Sequence, residues 1–179
     1  MNNVQDWTNA DDNTNAVLIL NGKLASYANN SVAIYKCPSD KTLADNGPRL
    51  RSVSMNSLVG DPGILTNKFN PDYVQCFQSG DVRHPSETFV FIDEHPDTLN
   101  DGFFMNRLEE YKWGNLPASS HNGAGNLSYT DGHADTHRWV VTGTGGTVRP
   151  VTRGGVGGTF DATPRTDFEW LKQHTTVKK

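Results

Sequence analysis

The spacing of apolar residues changes along the chain, and each change predicts a different element. Residues 16–27 carry apolar side chains close to the helical repeat, which predicts a short helix that Asn13 or Thr14 could cap. The continuous apolar run that ends at Asp93 is typical of a buried strand. Besides this strand over 88–92, strands are predicted over 50–58 and 67–78. Pro71 weakens the prediction over 67–78 because it has no amide proton for a sheet ladder. The apolar run 103–105 is too short to assign.

The Asp131-Gly132 dipeptide predicts a hairpin, because it lies between two runs of strand-forming residues. A two-residue type I′ turn has positive φ at both central positions, which Asp and Gly tolerate. Pairing outward from that turn sets Thr130 opposite His133 and Tyr129 opposite Ala134. Because successive side chains of a strand point to opposite sides, this pairing predicts which residues share each face of the hairpin. The polar face carries His133, Asp135 and His137, and the face toward a core carries Leu127, Tyr129, Ala134 and Val140.

Composition predicts one loop-rich domain over residues 1–179. Seventeen glycines, nine prolines and a hydrophobic fraction of 35% favour an α+β fold with an antiparallel sheet, short flanking helices and a thin core. Residues 142–166 are Gly-rich but supply no Lys before Ser or Thr at the start of a helix, so they predict a loop and not a phosphate site. Residues 167–175 predict a C-terminal helix. Its docking residues are Phe168, Trp170 and Leu171.

Charge and hydropathy exclude several classes of partner. The formal net charge is −4, whereas a nucleic-acid-binding surface needs a basic stripe, so we expect no nucleic-acid partner. No apolar run reaches 18 residues, so the sequence predicts no membrane span and shows no signal peptide.

The densest candidate chemistry lies in and beside the predicted hairpin. His121, Asp131 and His133 are candidate catalytic residues, and Asp131, His133, Asp135 and His137 are candidate metal ligands. Imidazoles and carboxylates at alternate positions of one strand face can bind a transition metal, with nitrogen favouring zinc and oxygen favouring calcium. The alternative is that His121 and Asp131 only satisfy backbone groups around the turn while the other side chains are solvated.

A second candidate is the acidic stretch that consists of Asp93, Glu94, His95, Asp97 and Asp101. Several oxygen ligands at flexible spacing suit calcium better than zinc. The loop is not an EF-hand, because it lacks the required glycine and the closing glutamate. Solvated loop acids are an equally good interpretation. We therefore expect calcium as the first candidate cofactor and zinc as the second. The remaining alternative is that the protein binds no metal.

The two cysteines, Cys37 and Cys76, fit no zinc spacing, because a four-ligand site needs companions at short intervals. In an exported protein they could form a disulfide that stabilises the fold by roughly 3 to 4 kcal/mol. In the cytosol they would be reduced thiols.

Several segments together carry a resemblance to a known family. His121 is followed after nine residues by Asp131-Gly132, and this resembles the His-x9-Asp-Gly signature of planctomycete-type pseudopilin-like proteins with prepilin N-termini. The other segments follow the family in order. They are Asp12–Asn15, Tyr35–Asp40, Arg51–Asn56, the strand Thr88–Asp93 and the tail Phe168–Leu171.

The resemblance implies a pseudopilin globular head, a location in the cell envelope or periplasm, and other pseudopilins or secretion components as partners. The resemblance also favours calcium as the bound ion. This chain departs from the family at Met1–Asp6, which is polar where a long apolar helix is expected. It is then either a shortened piece or a relative without the helix. In both cases we expect a soluble protein that could not join a fibre in the usual way and that could stay in the cytoplasm as expressed.

A function of a different class is metal-assisted hydrolysis of an ester or lactone. The chain has no Gly-x-Ser-x-Gly elbow, so the common serine hydrolase arrangement is not expected. A cation held by the hairpin and by the end of the Asp93 strand could polarise a carbonyl and activate water, while a nearby His or Glu94 takes the proton. The substrate would be a small ester or lactone.

Overall fold

Short strands dominate the fold. The computed structural model describes residues 5–8, 10–143, 146–153 and 158–179, so parts of the predicted Gly-rich loop lie outside the described residues. The strands are β1 (Leu43–Ala44), β2 (Gly47–Pro48), β3 (Val53–Asn56), β4 (Phe89–Asp93), β5 (Phe103–Phe104), β6 (Lys112–Trp113), β7 (Ala124–Tyr129), β8 (Ala134–Arg138) and β9 (Phe160–Asp161). The α-helices are α1 (Ala16–Leu20) and α2 (Thr166–Thr175), and single 3-10 turns lie at Asp11–Asn13, Ser26–Ala28, Val32–Tyr35, Gly63–Leu65 and Ser79–Asp81. This content confirms the predicted α+β class with short helices.

The central sheet has five strands in the order β5-β3-β4-β7-β8. Its neighbouring strands are antiparallel, as predicted, except that β5 pairs with β3 in parallel at one edge. The apolar strand β4 occupies the middle position because it can be buried on both sides. Two small pairs, β1 with β2 and β6 with β9, complete the strands.

Several predicted elements are shorter or different in the structure, including the strand predicted over 50–58, which covers only Val53–Asn56. The helix predicted over 16–27 ends at Leu20, and its cap is Asn15, whose side chain accepts a hydrogen bond from the Val17 amide at 3.1 Å. The strand predicted over 67–78 is wrong, since that segment makes only isolated bridges to other parts of the chain. The C-terminal helix begins at Thr166, one residue before the predicted start. In the part of the chain that the structure describes, no helix could cross a membrane.

The hairpin is present, but its turn and register differ from the prediction. Tyr129 donates to the carbonyl of His133 at 2.9 Å, so the loop holds three residues and only Gly132 has a positive φ, 94°. This is a type I turn followed by a bulge. The added loop residue shifts the register by one, so Asp135 pairs with Leu127 and not with Ser128.

That shift reverses the predicted faces. Asp135 and the neighbouring histidines share the face of Leu127, which packs toward α2, while Asn126 and Thr136 lie together on the opposite face. The core on the α2 face is aromatic: Phe168 of α2 packs edge-on against Trp113 with ring centroids 4.7 Å apart. Phe168 and Leu171 are buried and Trp170 packs beside them, which confirms the predicted docking residues of the C-terminal helix. The candidate ligands of β8 therefore lie on the same face of the sheet as this core, and Asn126 lies on the opposite face.

Candidate metal centre

Asp93 is the last residue of the buried strand β4. Because Ile92 pairs with Leu127, the next position places Asp93 beside Asn126 on the face away from α2. The carboxylate Oδ2 of Asp93 accepts hydrogen bonds from the backbone amide of Asn126 at 3.2 Å and from its side-chain amide at 3.0 Å. Burial raises the pKa of Asp93, and the bonds from Asn126 oppose that rise. The strand thus delivers a fixed carboxylate to the edge of the site.

His121 is held in place by a tight turn that the sequence prediction missed. The backbone groups of His121 and Ala124 exchange hydrogen bonds at 3.1 and 3.2 Å, and Asn122 and Gly123 between them have φ values of 54° and 85°. This is the type I′ geometry that was expected at Asp131-Gly132. The Asn-Gly dipeptide was the available signal for it. The turn leaves His121 Nε2 at 3.4 Å from Asp93 Oδ2.

Cys37 is the third member of the site, and Ser52 positions it. The Cys37 amide donates to Ser52 Oγ at 2.7 Å, while the backbone of Ser52 bonds to Tyr35 on one side and to Glu94 on the other, each at 2.9 Å. The Cys-Pro segment is thereby tied to the end of β4. Cys37 Sγ lies 3.3 Å from His121 Nε2.

The ligand atoms of Cys37, Asp93 and His121 all lie within 4.8 Å of one another, and no other set of three such residues does so among the described residues. Tetrahedral zinc with ordinary bond lengths would hold a sulfur and a nitrogen about 3.6 Å apart and a nitrogen and an oxygen about 3.4 Å apart. The observed separations of 3.3 and 3.4 Å are close to these values. The three side chains form a possible metal-binding group.

A cavity of about 420 Å³ opens beside this group and is lined in part by Cys37 and Asp93. One wall is the segment Arg149–Val151. His95 Nε2 contacts the Arg149 carbonyl at 3.3 Å, and Asp97 accepts from the amides of Thr152 and Arg153, each at 2.9 Å. The cavity therefore has a wall anchored to the loop that follows β4. Its remaining polar lining includes Ser39, Thr42, Ser119 and Ser120.

The structure places the other predicted ligands away from this group. Glu94 is buried, accepts from Ser54 and from Asn115, and burial raises its pKa to about 7. Asp131 and His133 form an exposed pair at the hairpin turn, with His133 Nδ1 2.6 Å from the carboxylate. The side chain of Asp135 is exposed.

His137, another predicted ligand, lies in an aromatic stack. Its ring is 3.5 Å from that of Trp170, and His174 stacks on Trp170 at 3.8 Å. Burial lowers the pKa of His137 below its ordinary value, while the charge of Asp167 opposes this. The His137 imidazole is therefore protonated less readily in the folded protein than in the unfolded chain.

This difference in pKa predicts a pH dependence of stability. As the pH falls below about 6.5, the unfolded chain gains the proton first, so His137 contributes a loss of unfolding free energy. A His137→Phe variant keeps an aromatic ring against Trp170 but cannot be protonated. We expect its unfolding free energy to fall less than that of the unmodified chain between pH 8 and pH 5 in urea titrations. An equal loss in both proteins would contradict this assignment.

Sequence reasoning placed His121 and Asp93 among its candidates but missed Cys37 and Asn126. Both cysteines are free thiols, and Cys76 lies elsewhere, 3.7 Å from the Asp81 carbonyl. Comparison of the chain with protein-family models, curated proteins and solved structures finds no match. These comparisons assign the chain to no family.

Proposed function

We propose that this protein binds one zinc ion through Cys37, Asp93 and His121. The observation that supports this is the convergence of a thiol, a carboxylate and an imidazole on one point at the edge of a cavity. Calcium takes six to eight oxygen ligands, whereas this group offers one carboxylate beside sulfur and nitrogen. Thiolate and imidazole together favour zinc among the common divalent ions. The proposal thus replaces calcium, the first expectation from the sequence, with zinc.

We further propose that the bound ion serves hydrolysis of a small ester or lactone. Catalytic zinc sites have three protein ligands and one open position. The group described here also has three ligands, and two of them, Cys37 and Asp93, line the cavity. When bound, the ion would polarise the substrate carbonyl and lower the pKa of water. The water oxygen would then bond to the carbonyl carbon while its proton passes to a base. The bond to the alkoxide would break as the base returns that proton to the leaving oxygen, which releases the acid and the alcohol.

Glu94 and His95 are the two predicted proton acceptors that line the cavity. Both carboxylate oxygens of Glu94 accept hydrogen bonds, Oε2 from Ser54 and Oε1 from Asn115, so Glu94 would take the proton only after one of these bonds is released. His95 is already engaged at both ring nitrogens, since Nδ1 accepts from the Asp97 amide at 3.2 Å and Nε2 contacts the Arg149 carbonyl. In this scheme His121 is a metal ligand. Asp131 and His133, the other predicted catalytic residues, are not among the described residues that line the cavity.

The hydrolytic proposal predicts chelator-sensitive turnover. Zinc-loaded protein should cleave 4-nitrophenyl acetate or the aromatic lactone dihydrocoumarin, lose that activity after treatment with a chelator and regain it with added zinc. The Cys37→Ser variant should be inactive under the same conditions, while Cys76→Ser should keep the activity. Rates that are the same with and without the chelator would rule the proposal out.

A second candidate function is that of an interaction head in a secretion or pilus-like assembly, as the sequence resemblance implies. The observation that favours it is a concentration of exposed apolar side chains in residues 17–34, where α1 contacts the turn Val32–Tyr35. Exposed apolar patches often mark protein-protein contacts. The exposed members are Val17, Leu20, Leu24, Tyr27 and Ile34.

Self-association tests this second function. Analytical ultracentrifugation should show oligomers that grow with concentration, and a Tyr27→Ser, Ile34→Ser double variant should shift the distribution to monomer. A chain that is monomeric at every concentration would oppose assembly between copies of itself. The hydrolytic proposal does not depend on this result.

A further inference from the structure

The side-chain amide of Asn126 lies beside the point where a metal ion would bind. Its Nδ2 is 2.9 Å from His121 Nε2 and 3.0 Å from Asp93 Oδ2, which are two of the three ligand atoms. The backbone of Asn126 is fixed in β7, and its own amide also donates to Asp93 at 3.2 Å. The NH₂ group of Asn126 thus donates hydrogen bonds to the same lone pairs of His121 and Asp93 that a metal ion would use.

This arrangement and metal binding exclude each other at His121. A neutral imidazole has one lone pair on the nitrogen that is not protonated, and that lone pair can accept from Asn126 or bind an ion, but not both. A cation in the site would also repel the amide hydrogens. The side chain of Asn126 must therefore change its orientation when the ion binds.

Rotation of the amide by a half turn resolves both conflicts. It brings Oδ1 to the place now occupied by Nδ2, facing the ion. The Asn126 oxygen currently accepts from the hydroxyl of Thr136 at 2.7 Å. Because a hydroxyl both donates and accepts, Thr136 can bond to the amide in either orientation. Asp93 loses one hydrogen bond but keeps the one from the Asn126 backbone.

We propose that Asn126 Oδ1 is a fourth, exchangeable ligand of the metal ion, coupled to the ion through this rotation. The inference rests on the proposed zinc site. A neutral amide oxygen is a weaker ligand than a thiolate, an imidazole or a carboxylate, so it is the ligand that water or a substrate carbonyl displaces. Asn126 would occupy the fourth position of the bound ion until water or a substrate carbonyl displaced it.

Zinc affinity and a zinc-loaded crystal structure test this proposal. We expect an Asn126 side-chain atom at about 2.1 Å from the ion, which only the oxygen can occupy. We also expect Asn126→Leu to bind zinc at least about tenfold more weakly in competition with a chromogenic chelator, and Asn126→Asp, which keeps an oxygen there, to bind it at least as tightly as the unmodified chain. Asn46→Leu, outside the site, should leave the affinity unchanged.

The outcomes separate this inference from the zinc site itself. Zinc bound by Cys37, Asp93 and His121 with a water in the fourth position and Asn126 beyond contact distance would overturn the role of Asn126 and keep the site. An unchanged affinity in Asn126→Leu would do the same. A protein that binds no stoichiometric zinc at these residues would overturn both.

Discussion

Replacing Cys37 with serine should lower the zinc affinity by at least about 100-fold. Loss of a residue that only supports a metal ligand typically costs 10- to 100-fold in affinity, and Cys37 is proposed as a ligand itself. Its sulfur lies 3.3 Å from His121 Nε2, so its removal leaves two protein ligands and Asn126. The affinity is measured by competition with a chromogenic chelator, and circular dichroism shows whether the metal-free fold is retained.

Cys76→Ser is the matched control for this variant. Cys76 is buried, and its sulfur lies 3.7 Å from the Asp81 carbonyl and 4.0 Å from Thr176 Oγ1, away from the ligand group. We expect its replacement to change the unfolding free energy while the zinc affinity stays the same. An equal loss of affinity in both variants would indicate a general effect on the fold, and no loss in Cys37→Ser would remove the thiol from the site.

Replacing Phe168 with alanine should lower the unfolding free energy by about 3–5 kcal/mol, the usual cost of truncating a buried phenylalanine. Phe168 is only 1% exposed and packs against Trp113 and Tyr111, so the variant leaves a cavity between α2 and the strand pair β6-β9. Urea titration followed by tryptophan fluorescence measures the change.

An exposed aromatic residue provides the comparison. Tyr27 is 89% exposed, and Tyr27→Ala should change the unfolding free energy by less than about 0.5 kcal/mol. Similar losses in the two variants would show that α2 does not dock as described. A small loss for Phe168→Ala alone would place the main core elsewhere.

The parts of the fold that the sequence predicts best are those with a strong local pattern. The apolar run that ends at Asp93 is the central strand, and the C-terminal helix docks through the expected residues. The hairpin was predicted with the wrong register, because Asp-Gly fits both a two-residue turn and a three-residue turn with a bulge. One residue of difference then reverses every side chain of β8.

The site was harder to predict because its members are distant in sequence. Asp93 and His121 were recognised as chemically suitable, but Cys37 joins them only through the Ser52 hydrogen bonds that tie its segment to β4. Asn126 reaches Asp93 by cross-strand pairing, which depends on the register of β4 with β7. No spacing pattern encodes these contacts, although Cys37, Asp93 and His121 each belong to a segment of the sequence resemblance.

X-ray absorption at the zinc edge of the loaded protein is the most direct test of the metal centre. The proposed site predicts one zinc per chain with one sulfur neighbour at about 2.3 Å and the remaining neighbours, nitrogen or oxygen, at about 2.0–2.2 Å. The sulfur neighbour should be missing in Cys37→Ser. A coordination shell of nitrogen and oxygen alone in the unmodified chain, or no stoichiometric zinc, would contradict a centre formed by Cys37, Asp93 and His121.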